Sequence, residues 1–224
     1  MNRKALILGW LVLSLPLLHA SDVLDRIAVA VNGHAILQSD WQDEMRYECF
    51  ASGRKLDDVT PPERKAALDR LIDQELLREQ ISSSVKPAST EEVGKQFEAM
   101  KNEYTQAHQV QSWSAALASY RLTEADVRNH IALELTQLRL VDAHLRPSIQ
   151  VDSAEVAAYY KDHLATQGSG GPQMSLQEAA PRIRELLTQQ RMDQLLSSWL
   201  ESLRTQSQIR MFVADPSFVQ GPGQ

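Results

Sequence analysis

The sequence predicts a mainly α-helical protein with a small β element that joins its two ends. Five patterns typical of helix starts precede amphipathic stretches: Ser39-x-x-Gln42, Thr60-Pro-Pro-Glu63, Ser89-x-x-Glu92, Asp152-x-x-Glu155 and Ser175-x-x-Glu178. In such a capping box, a short polar side chain accepts an N–H of the first turn, and the residue three positions later reaches back to the cap. Five boxes, each before an amphipathic stretch, indicate a helical protein.

The β element is predicted from two short segments far apart in the chain. Residues 25–37 are rich in β-forming residues around Asn32-Gly33, a dipeptide that favours a tight hairpin turn. Residues 209–213 alternate apolar and polar side chains, which is typical of a strand. Because a two-stranded hairpin is marginally stable alone, we expect the late strand to pair with it.

The helical stretches carry apolar residues three and four positions apart, which places them on one helix face. A weaker start pattern, Thr123-x-x-Asp126, precedes one of them. The four predicted stripes are Leu68, Leu71, Ile72, Leu76 and Leu77; Val93, Phe97, Met100 and Tyr104; Val127, Ile131, Leu135, Leu138 and Val141; and Ile183, Leu187, Leu195, Trp199 and Leu203.

The N-terminal 20 residues have the pattern of a secretory signal peptide. Arg3 and Lys4 precede a short apolar run from Ala5 to Leu18, and the small residue Ala20 follows it. A membrane anchor is the alternative, but Pro16 interrupts the run, which is short for a span. Cleavage after Ala20 changes the formal charge from −6 to −8. An acidic chain disfavours nucleic acid and anionic lipid as partners.

The sequence shows no pattern for a metal or catalytic site, and we expect no cofactor. Cys49 is the single cysteine, so no disulfide forms within the chain. The histidines after His19 do not share a helix at spacings of three or four, and no His-Glu-x-x-His occurs. No Gly-x-Ser-x-Gly turn for a nucleophilic serine is present either.

Four segments together resemble the SurA-like periplasmic chaperones. They are residues 26–41 (RIAVAVNGHAILQSDW), 70–77 (RLIDQELL), 122–131 (LTEADVRNHI) and 175–213. The resemblance covers nearly all of the chain after residue 20. It implies a non-catalytic helical module whose extended crevice holds unfolded outer-membrane or secreted proteins.

The chain departs from that family where the prolyl-isomerase domain is expected. Only a Gly/Ser/Pro-rich join separates Tyr160 from Ser175, and an independent domain needs at least roughly 50 residues. We therefore expect a binding protein rather than an enzyme, with a divergent isomerase as a disfavoured alternative. The expected organisation is an N-terminal helical domain at 21–165, the join at 166–173, a C-terminal helix and strand at 174–214 that complete the same domain, and a flexible tail at 215–224.

The candidate peptide-binding residues are aromatic and methionine side chains, namely Phe97, Met100, Tyr104, Trp113 and Tyr120. Such side chains form adaptable apolar surfaces. Packing in the core is the alternative for each of them, and it is the favoured interpretation for Phe97 and Met100. The expected function is to bind unfolded polypeptides outside the cytoplasm. A dedicated assembly subunit for one envelope partner is a second hypothesis. The join also permits a homodimer in which two chains exchange terminal elements.

Overall fold

The computed structural model describes residues 25–81, 85–109, 112–164 and 174–213 and confirms a mainly α-helical fold with a small sheet. Within these residues the elements are β1 (Ile27–Val31), β2 (His34–Leu37), α1 (Gln38–Ser52), α2 (Pro61–Gln80), α3 (Thr90–Ala107), α4 (Trp113–Ser119), α5 (Glu124–Leu145), α6 (Ser153–His163), α7 (Leu176–Gln206) and β3 (Ile209–Met211). The predicted signal peptide, join and tail lie outside the described residues. In the described part, no helix combines the length and the apolar character that crossing a membrane requires.

The sheet joins the two ends of the described chain, as the sequence predicts. Its order is β2-β1-β3, and both neighbouring pairs are antiparallel. Asn32 and Gly33 form the hairpin turn with φ angles of 48° and 91°, the positive values that a tight two-residue turn needs. The β3 strand pairs with β1 through Val31 opposite Ile209.

Four of the five predicted capping boxes are present. The backbone N–H of each cap donates to the acid three residues on, over 2.8 Å for Thr60 to Glu63, 2.8 Å for Ser89 to Glu92, 3.0 Å for Asp152 to Glu155 and 2.8 Å for Ser175 to Glu178. The weaker Thr123–Asp126 pattern forms the same bond, over 2.7 Å. Local hydrogen bonding therefore sets the start of these helices.

The Ser39-x-x-Gln42 prediction is wrong, because the cap is Leu37 and α1 begins at Gln38, two residues earlier than a helix capped by Ser39 would begin. Asp40 accepts the backbone N–H of Leu37 over 2.8 Å and takes the role expected of Gln42. The Ser39 hydroxyl donates instead to Asp25, just before β1. A long-range contact with the residue preceding the hairpin thus replaces the local cap.

One hydrophobic core lies between the sheet, α1 and α2. Val29, Val31, Trp41, Leu68 and Leu76 are buried there. The indole N–H of Trp41 donates to the Arg64 carbonyl oxygen over 2.8 Å, so its polar atom is satisfied inside the core. This core fixes the hairpin against α1 and α2.

The two halves of the long helix α7 pack on different helices. Its C-terminal half meets α2 and α5 in a core that buries Leu77, Leu140, Val141, Leu145 and Met192. Its N-terminal half packs on α6 around Val156, Ala179 and Ile183. α7 therefore connects α6 to the core formed with α2 and α5.

The predicted stripe on α5 is wrong at Leu138, which is 62% exposed. Val127 and Ile131 belong to a cluster with α3 and α4, whereas Leu140 and Val141 pack near α7. The helix changes partners along its length, so its buried face rotates and one periodic position turns to solvent.

Candidate functional site

The five candidate peptide-binding residues lie together in one cluster formed by α1, α3, α4 and α5. Phe97 is fully buried and Tyr104 is 7% exposed, whereas Met100, Trp113 and Tyr120 are half-buried. Sequence periodicity predicts that they are apolar neighbours but not which of them reach the surface.

Phe50 organises this cluster from the end of α1. The Phe50 ring centroid lies 4.5 Å from that of Tyr104, 5.5 Å from Trp113 and 5.7 Å from Tyr120. The Arg128 guanidinium lies 3.8 Å from the Phe97 ring centroid and covers that ring. Peptide binding by these five residues remains a prediction. Because Phe97 and Tyr104 are buried, the residues of the set that could contact a peptide directly are Met100, Trp113 and Tyr120.

A separate groove lies between α1, α2 and α5, with a volume of about 770 Å³. The residues that line it include Met45, Tyr47, Val59, Ala66 and Leu133, which give it apolar surface. Near one end, the Gln137 side-chain amide donates to the Gln74 carbonyl oxygen over 3.3 Å, which joins α5 to α2. Concave, largely apolar surfaces with a few polar groups are typical of binding sites.

Charged residues also line the groove, and most of them form ion pairs across it. Arg54 binds Glu63, with its Nη2 atom 3.3 Å from Oε2, and Arg70 binds Glu48. Hydrogen bonds from Arg54 and from the backbone and side chain of Thr60 lower the pKa of Glu63 to about 2. Glu134 also lines the groove, and within the described part of the chain it has no ion-pair partner.

Glu44 is the one charged residue buried among those that the structure describes, with 5% of its surface exposed. Its Oε2 atom is buried and has no hydrogen-bond partner. Burial and the neighbouring Glu48 carboxylate raise the pKa of Glu44 to about 7, although the Arg70 guanidinium lowers it in part. The groove therefore contains a carboxyl group whose pKa is well above that of an ordinary glutamate.

His130 stands beside Glu44 without neutralising it. The Nδ1 atom of His130 is 3.8 Å from Glu44 Oε2, too far for a hydrogen bond. The imidazole stacks on the Tyr47 ring with centroids 3.9 Å apart, and burial lowers the pKa of His130. Burial and the nearby Glu134 and Glu44 carboxylates raise the pKa of Tyr47 to about 12. At neutral pH the groove therefore presents a neutral aromatic pair beside an acidic group.

Cys49 also lines the groove as a free thiol. It is 4% exposed, and burial raises the pKa of its thiol. A thiol with a raised pKa is a poor nucleophile at neutral pH. Cys49 therefore acts here as a small apolar side chain.

A second polar cluster joins the hairpin to α2. The Nδ1 atom of His34 lies 3.5 Å from Glu75 Oε1 and 3.8 Å from Glu79 Oε1, a set of groups that could ligate a metal ion. Glu75 already binds Arg78, and Glu79 accepts the Asn32 side-chain amide over 2.6 Å. The His34 side chain is 60% exposed. Because Glu75 and Glu79 already have these partners, the cluster is explained as a structural link between the β1–β2 hairpin and α2.

The sequence alone did not identify the groove residues. Glu44 lies on α1 and His130 on α5, far apart in the chain. In the sequence, each has the pattern of an ordinary polar position on an amphipathic helix. The one available signal was Glu44 itself, which lies three residues after Trp41 and so on the same face of α1 as that buried ring. A buried acid on an apolar face is uncommon enough to indicate a function.

Comparison with known protein families supports the SurA-like resemblance predicted from the sequence. The family model of the SurA-like N-terminal domain matches residues 4–141, which include β1, β2, α1 to α4 and most of α5. A comparison with curated proteins found no match. The predicted resemblance of residues 175–213 lies beyond the matched part and remains a prediction. Because the match covers more than half of the sequence, the chain belongs to the SurA-like N-terminal domain family.

Proposed function

We propose that this protein is an extracytoplasmic chaperone that binds unfolded outer-membrane or secreted polypeptides without catalysis. The groove between α1, α2 and α5 is the observation that carries the proposal. It occurs in a chain whose family suggests a chaperone-like role. The signal-peptide pattern in residues 1–20 supports a periplasmic location.

The shape and lining of the groove suit an extended polypeptide segment. Its volume of about 770 Å³ is comparable to that of sites which hold a ligand the size of a few residues. Met45, Val59 and Leu133 offer apolar contact, and burial of apolar area contributes roughly 25 cal/mol per Å² without requiring a particular sequence. Binding through such contacts is weak and tolerant of different clients.

The length of the connection between α6 and α7 supports binding without isomerase chemistry. Residues 164–175 separate the end of α6 from the start of α7, and this is far fewer than the roughly 50 that an isomerase domain would need. Purified protein should therefore leave the rate of prolyl cis–trans exchange in a test peptide unchanged. Acceleration that persists through repurification would contradict a non-enzymatic role.

The function is tested by the breadth of the clients. A chaperone should suppress the aggregation of several unrelated unfolded proteins at a similar molar ratio. A dedicated assembly subunit, the second hypothesis, should leave those proteins unprotected and recover one folded partner in stoichiometric amount from an envelope extract. Protection of none of the unfolded proteins, together with capture of one partner, would replace the first proposal with the second.

We also propose that Met100, Trp113 and Tyr120 form an apolar edge that assists client binding, with Phe97 and Tyr104 as the buried support beneath it. The double variant Trp113→Ala and Tyr120→Ala should weaken suppression of aggregation several-fold at a temperature well below its melting point. Far-UV circular dichroism should show nearly unchanged helicity, because both rings are only half-buried. Normal client binding combined with easier unfolding would show that the two rings serve packing alone.

A further inference from the structure

The charges that line the groove do not balance. Four acidic residues, Glu44, Glu48, Glu63 and Glu134, face two arginines, Arg54 and Arg70. Each arginine forms an ion pair, Arg54 with Glu63 and Arg70 with Glu48. Within the described residues, Glu44 and Glu134 therefore remain without a cationic partner of their own, so the groove is acidic.

His130 does not supply the missing charge. It is the titratable residue of α5 beside Glu44, but its ring stacks on Tyr47 and burial keeps it neutral at pH 7. Its Nδ1 atom is also 3.8 Å from Glu44 Oε2, beyond hydrogen-bond distance. Among the described residues, His130 therefore leaves the Oε2 atom of Glu44 without a hydrogen-bonded cation.

The buried carboxyl of Glu44 indicates that the groove lacks a positively charged group. Its side chain is 94% buried, its Oε2 atom has no hydrogen-bond partner, and the residue lines the groove. A buried polar atom without a partner costs free energy, and an ionised one costs more. A cation brought by a ligand would remove that cost, so the structure itself points to a positively charged group.

We propose that the groove holds an extended polypeptide segment whose Lys or Arg side chain is directed at Glu44 and Glu134. This inference rests on the proposed function and adds a chemical preference to it. The stacked Tyr47 and His130 rings provide an apolar surface for the aliphatic part of a Lys or Arg side chain. Glu134 is exposed and close enough to Tyr47 to raise its pKa, so a basic side chain entering the groove meets it before Glu44.

The preference is tested with two fluorescent peptides measured by anisotropy at pH 8. One is a short apolar peptide with a central arginine, and the other carries citrulline, which has nearly the same shape and no charge. The arginine peptide should bind about tenfold more tightly, as expected for one charge-assisted hydrogen bond in a partly buried site. In the Glu44→Gln variant this preference should fall several-fold.

The control variant is Glu91→Gln on α3, where the Glu91 side chain is 77% exposed and paired with Lys95. It should keep the full preference for arginine. Equal binding of the two peptides by the unaltered protein would overturn the inference while leaving the chaperone proposal intact. Failure to bind either peptide would overturn both. Displacement of the arginine peptide by micromolar spermidine would show that the groove selects small organic cations rather than polypeptide, and would also overturn the inference.

Discussion

Removal of residues 174–224 should unfold the protein or make it aggregate. The fragment 21–173 loses β3, the strand that pairs with β1, and α7, which covers α2 and α5. Met192 is buried in that contact, and Trp199 stacks on His144 with ring centroids 4.1 Å apart.

The expected effect is as large as the total stability of a typical domain. Leu77, Leu140, Val141 and Leu145 would become exposed, at roughly 1.5–3 kcal/mol for each side chain. Arg204 would also be lost, with its 2.6 Å bond to Asp73 and its 2.9 Å bond to the Asp69 carbonyl oxygen. Together these losses approach about 10 kcal/mol, whereas domains are stable by about 5–15 kcal/mol.

Thermal melting and light scattering measure the result. A chain that ends at Val213 is the matched control, since it keeps every contact described for α7 and β3 and should melt like the full chain. A 21–173 fragment that stays monomeric and melts at the same temperature would refute the dependence on α7. The same comparison tests whether residues 174–213, which lie beyond the part matched by the family model, are needed for the fold.

The sequence predicts those features that local interactions determine. Capping boxes such as Ser89–Glu92 need only four consecutive residues, and the Asn32-Gly33 turn needs two, so both could be predicted and both are present. The pairing of β3 with β1 was predicted from a physical requirement, because the hairpin needs a third strand. Family resemblance then indicated how the helices follow one another.

The candidate site could not be predicted in the same way, because it depends on contacts between distant residues. Whether the Phe97 side chain is buried depends on Phe50 of α1 and Arg128 of α5, which pack near it only in the folded protein. Ser39 failed as a cap because Asp25 competes for its side chain. The groove arises only where α1, α2 and α5 meet, and no periodicity within one helix indicates that meeting.

The Glu44→Gln variant should be more stable than the unaltered protein, and the gain should grow with pH. Burial first, and then the Glu48 carboxylate, raise the pKa of Glu44 from 4.5 to about 7 in the folded state, with Arg70 on α2 opposing and His130 on α5 neutral. Because the pKa of Glu44 is higher in the folded protein than in the unfolded chain, protonation of this carboxyl stabilises the fold. This contribution to the free energy of unfolding is fully present below pH 4.5. It is lost as the pH rises through 7. Glutamine cannot ionise, so the variant avoids this loss.

The expected gain is about 3 kcal/mol at pH 8 and less than about 1 kcal/mol at pH 5, measured by urea unfolding at both values. The exposed Glu91→Gln control should change stability little at either pH. A gain of equal size at pH 5 and pH 8 would show that Glu44 is not the titrating group. A variant that is more stable yet prefers arginine peptides less would show that this carboxyl lowers folding stability and contributes to binding, as expected of a residue retained for its ligand.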